Sequence, residues 1–67
     1  MSEAEAKSLM VAGNQIIYAG ITYRRIRSVQ LTWNRDSHMM EMRLVLEDVC
    51  ANALVVAPPN RCEPISL

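Results

Sequence analysis

Phenylalanine is absent from this 67-residue chain, glycine and cysteine occur twice each, and aromatic residues make up only 4% of it. Without Phe, one Trp and two Tyr must supply all the broad planar surface. The rest of the core has to come from Val, Ile, Leu and Met. Two isolated glycines fit neither a phosphate-cradling loop nor a dinucleotide fingerprint. An excess of one charge sign is lacking too: seven Lys plus Arg balance seven Asp plus Glu. No global field therefore draws the chain to nucleic acid or to an anionic membrane. No apolar run approaches the roughly 18 residues that a bilayer-spanning helix needs. The acidic, Ala-rich start MSEAEAKSLM does not read as a cleavable apolar leader. Cys50 and Cys62 are too few for a secreted disulfide framework. Their twelve-residue separation matches no zinc spacing, and a single histidine cannot complete a four-ligand set. These absences imply a cytoplasmic protein with reduced thiols, buried as small hydrophobes, and with neither cofactor nor membrane.

What is present is a high apolar content, 51% of the chain, enough for one globular domain. A chain of this size buries only about 60% of the surface its unfolded form exposes. Its stability is then marginal unless something pairs with it, and zero net charge favours pairing with itself.

Along the chain, Ser2 and Glu5 have capping-box spacing, so residues 1–12 form either a short helix or a frayed tail, ended by Gly13-Asn14. From Gln15 the composition turns β-branched and aromatic. QIIYA reads as a strand, Gly20 as a bend, and ITYRRIRSVQLTW as a longer bent strand. Val29, Leu31 and Trp33 share one face, and Ser28, Gln30, Thr32 and Asn34 the other. Tyr23 keeps the apolar parity but Ile26 does not, so the phase slips between Arg24 and Ser28, as at a β-bulge. NRDSH reads as a hairpin loop, and MMEMRLVLE alternates again, with Met40, Met42, Leu44 and Leu46 on one side. DVCAN is a turn region, ALVVA a strand, Pro58-Pro59-Asn60 a tight turn, and RCEPI a last edge strand that tolerates Pro64. Residues 13–67 thus read as one mainly β domain, a small, partly open antiparallel barrel of SH3-like type with four to five strands.

The segments GITYRRI, a strand ending LED, and ANALVVAPPNR together resemble short uncharacterised proteins of conjugative or phage-like elements in Gram-positive bacteria. The resemblance covers roughly residues 20 to 62. It implies the same small barrel and a bacterial cytoplasmic setting, and it transfers no catalytic residue.

Two clusters are candidate sites. Trp33, His38, Met40 and Met42 have the soft donors that select Cu(I) or Ag(I), and small copper-carrying barrels are similar in residue content. Strand parity argues against that reading, since it places both methionines with Leu44 and Leu46 on the core side, where Met fills gaps. The second cluster is Arg24, Arg25 and Arg27 with Tyr18 and Tyr23. Arginine and aromatics dominate interface energetics, which makes this the expected surface for a protein partner or a second copy. The same residues offer phosphate contacts and a stacking ring for nucleic acid. Against that stand the zero net charge and the neighbouring Glu41 and Glu47, which can take up the arginines in cross-strand pairs. No nucleophile with its base, carboxylate pair or phosphate loop points to catalysis. A chain this short also leaves little room for a ligand pocket of roughly 300 Å³ or more. The expectation is a non-enzymatic interaction module.

Overall fold

The computed structural model describes residues 1–50 and 52–65. Its first element is a helix, α1 (Glu3–Ala12). The Ser2 hydroxyl accepts the Glu5 backbone N–H at 3.1 Å, satisfying one donor that the first turn leaves free. Gly13 closes the helix in the left-handed region at φ 72°. The Gly13 N–H donates to Met10 O and the Asn14 N–H to Leu9 O, the pair of bonds that defines a Schellman ending. The N-terminus is therefore helical, and Ala6, fully buried, seats it on the rest of the fold. An added Cβ at Gly13 would meet nothing within 4 Å, so only backbone strain opposes a side chain there. Gly13→Ala is expected to cost about 1 kcal/mol, read as a lower urea midpoint at unchanged slope.

Six short strands follow and form two three-stranded antiparallel sheets. In the first sheet, β1 (Ile16–Tyr18) lies between β2 (Ile21–Tyr23) and the last strand, β6 (Cys62–Pro64). Ala19 and Gly20 join β1 to β2 with φ of 53° and 76°, the two positive values that a tight hairpin turn of the primed type needs. Pro64 lies on an edge strand, opposite Ile16. The second sheet has the order β3 (Arg25–Asn34), β4 (Met39–Glu47), β5 (Leu54–Ala57). The long bent strand read from the sequence is thus divided at Arg24 into β2 and β3, one in each sheet. Its bulge falls where the phase slips. Ile26 pairs with Leu46 and Ser28 with Val45, which leaves Arg27 as the extra residue. That insertion lets Ile26 and Val29 meet the same core despite their odd spacing. Residues Pro59–Arg61 form a single 3-10 turn before β6. Among the described residues no pairing joins β5 to β6, so the sheets do not close into a barrel.

The core comprises Ala6, Ile16, Tyr23, Ile26, Leu44, Leu46, Ala57 and Cys62. It lies where the two sheets and α1 meet, and it is small. At about 3.3 Å per residue, β3 alone is nearly as long as the molecule, whose greatest extent is 36 Å. The strands of the first sheet have three residues each and cover only its near half. The far half of the β3–β4 hairpin projects beyond them.

Candidate functional site

The projecting hairpin carries the most distinctive surface of the molecule. Cross-strand register places Val29 opposite Leu44, Leu31 opposite Met42 and Trp33 opposite Met40, so all six share the core-facing side. Leu44 is fully buried, yet Leu31, Trp33 and Met40 are 50, 53 and 54% exposed. Met42 is half-buried against the core. This corrects the expectation that Trp33 and Met40 point into the interior. The two-residue rhythm fixes which face a side chain takes, but nothing in α1 or the first sheet reaches far enough to cover that face at the tip.

The tip itself is tightly built. Asn34 and Met39 close a four-residue loop, Arg35 to His38. The Asn34 side-chain oxygen accepts the backbone N–H groups of Asp36 and Ser37 at 2.9 and 3.2 Å, and its amide nitrogen donates to Glu41 at 2.8 Å. His38 takes a left-handed backbone, φ 54°, which is uncommon for a residue other than glycine. That turn brings its ring edge-on to Trp33, with centroids 6.2 Å apart and planes at 70°.

The arginine cluster is arranged differently from its sequence reading. Arg24, Arg25 and Arg27 are all exposed. Arg25 is committed to Glu47, Nε to Oε2 at 3.1 Å, the cross-strand pair that the charge pattern allowed. Arg43 pairs with Glu41 along the same strand at 3.6 Å. Tyr23, expected on the interaction surface, is instead a core residue at 7% exposure. Tyr18 is half-buried, its ring tilted against that of Tyr23 at 6.4 Å. Of that expected surface only the three arginines are therefore exposed, and Arg25 is paired. Pairing Ile16 with Tyr23 on the core side, set by the tight turn at Ala19-Gly20, is what draws the tyrosines in.

Two further features concern reactivity. A groove of about 380 Å³, larger than the chain's length led one to expect, runs between Glu41, Met42 and Arg43 on β4 and Val56 to Pro58. It holds no nucleophile, and its two charged groups are the pair already described. Both cysteines are free, Cys50 exposed and Cys62 buried, so the burial expected of the thiols holds only for Cys62. The Cys62 thiol donates to Pro58 O at 3.4 Å, and burial pushes its pKa above the ordinary thiol value. The sign follows from linkage: the unfolded thiol releases its proton first, so stability falls as pH rises past the ordinary thiol range. At pH 8 a maleimide is expected to modify Cys50 quickly and Cys62 only after denaturation, read by mass. Equal rates at both would contradict the burial of Cys62.

Among the described residues no charged or polar side chain is buried, and no three His, Cys, Asp or Glu side chains converge. No helix among them is long and apolar enough to cross a membrane. Comparison with protein families, curated proteins and solved structures gives no match.

Proposed function

We propose that this protein is a non-enzymatic interaction module that works by pairing with a second copy along the outer edge of β3. The observation that carries the reading is the half-exposed Leu31, Trp33 and Met40 on one face of a projecting hairpin. Together they present an apolar patch on the order of 300 Å², the size of the largest patches that monomers expose, which are often functional. Beside it runs a strand edge that no second strand pairs among the described residues. From Ser28 to Asn34 there are seven consecutive residues without a charge, a glycine or a proline, and β3 has β4 as its sole strand partner among the described residues. Solitary proteins blunt such edges with charge, proline or a covering element. Two copies meeting edge to edge about a two-fold axis would close both edges at once and join the apolar patches into one surface. A stable interface needs roughly 800 Å² per partner, so the patch would supply somewhat under half and the paired strand with its flanking side chains would have to supply the rest. Zero net charge puts no repulsion in the way.

The non-enzymatic part of the reading is supported by how few titratable groups are buried among the described residues, Tyr23 and Cys62 alone, since catalytic sites are where such groups gather. The architecture fits a partly open barrel of SH3-like type: a strand bent between two sheets, a hairpin, and a 3-10 turn before a last strand that returns to β1. Free thiols support a cytoplasmic setting. Sedimentation velocity over a wide concentration range tests the pairing. A monomer–dimer equilibrium is expected, and a monomer persisting at millimolar concentration would overturn it.

A further inference from the structure

Strand parity places Met40 and Met42 on the core-facing side of the sheet, yet Met40 is half-exposed there, across from Trp33. His38, Met40 and Met42 follow one another at two-residue intervals, so the two thioethers emerge on one face of β4, with backbones about 6.8 Å apart. That separation is one that two flexible Met side chains can close over a single ion. Trp33 stands directly across from Met40, where opposed Cβ atoms are about 5 Å apart. His38 would continue the row away from the site if the strand ran on. Its left-handed backbone turns it back instead, and its ring contacts Trp33.

A non-glycine residue held in that conformation is a local cost, and here its result is an imidazole set against the indole that stands across from Met40. His38 is exposed, and Trp33 and Met40 are half-exposed, so an ion has access. Met42 is anchored partly in the core and fixes the inner end. The donor chemistry is selective. Thioether sulfur binds hard cations poorly and monovalent soft ions well, and imidazole accepts both. No carboxylate belongs to the set, since Glu41 points to the opposite face, where it is bonded to Asn34 and paired with Arg43. An indole face adds attraction for a cation without adding a ligand.

We propose that His38, Met40 and Met42 bind one soft monovalent ion, Cu(I) or Ag(I), with Trp33 covering it. A single chain supplies every ligand, but Trp33 and Met40 also lie in the proposed dimer surface, so the monomer binds the ion and a second copy competes with it.

The test is a titration of Cys50→Ser protein, which lacks the competing exposed thiol, with Ag(I) at a concentration where sedimentation shows the monomer alone. Trp33 emission should fall to a plateau at one equivalent. The methyl resonances of Met40 and Met42 should move while those of Met1, Met10 and Met39 stay. Zn(II) should produce neither change. Met40→Leu/Met42→Leu, which preserves volume and polarity class, should weaken binding at least tenfold. His38→Gly should weaken it as well while raising the melting temperature, because glycine suits the left-handed turn. The two readouts then move in opposite directions, which a purely structural role for His38 would not produce. Unquenched Trp33 emission at several equivalents, or unchanged affinity in the double methionine variant, would overturn the proposal. So would equal movement of all five methionine methyls.

Discussion

Leu44→Ala is expected to remove about half of the protein's folding stability. Leu44 is fully buried. It stands on the central strand of the second sheet, opposite Val29 on β3 and Ala57 on β5, and its side chain belongs to the core shared with Ile16 and Tyr23 of the first. Deleting a buried leucine side chain costs about 2–5 kcal/mol, because the transfer energy is lost and the cavity closes only partly. A domain of this size has a total stability of about 3–10 kcal/mol, so one substitution removes much of it. The informative control is Leu31→Ala, with the same chemistry on the same face of the same strand pair. Leu31 is half-exposed, and its truncation is expected to cost under about 1 kcal/mol. Urea unfolding followed by circular dichroism measures both. Equal losses at the two positions would mean that the core extends to the hairpin tip, and that the exposed patch is not one.

The second large effect concerns association. Trp33→Lys places a charge in the centre of the proposed dimer surface, next to an otherwise uncharged edge. Interface tryptophans commonly account for 2 kcal/mol or more, so the dimer dissociation constant should rise at least about 30-fold. In dilute solution the stability of the variant should stay within about 0.5 kcal/mol of the parent, since a half-exposed side chain far from the core is being replaced. Fluorescence is lost with the tryptophan, so sedimentation is the measurement to use. An unchanged dissociation constant would move the interface elsewhere, with the exposed Leu54 and Val56 of β5 the next place to look.

Local chemistry was legible in the sequence almost residue by residue. Ser2 capping, the Gly13 ending, the bend at Gly20, the slip around Arg27, the turn at Pro58 and the edge position of Pro64 all depend on interactions within a few residues, and all lie where the pattern puts them. The candidate site was legible only as a set of residue types. Trp33, His38, Met40 and Met42 stand out by rarity. Their exposure depends on how far α1 and the first sheet reach, a length relation between elements that are not neighbours in the chain. Tyr23 shows the reverse case: an aromatic beside three arginines looks like surface, yet its pairing with Ile16 puts it in the core.

By itself, then, the sequence determined where most of the strands and turns fall, the bulge, and the face each side chain of the hairpin takes, because a strand's two-residue repeat and a turn's backbone angles are local matters; the helix at residues 3–12 and the break at Arg24 it left open. The tertiary structure alone decided where that apolar face stops being interior. Neither α1 nor the three-residue strands of the first sheet cover ten-residue β3 from end to end, so the core closes around Leu44, and the side chains beyond it, Leu31, Trp33 and Met40, are left to water or to a partner.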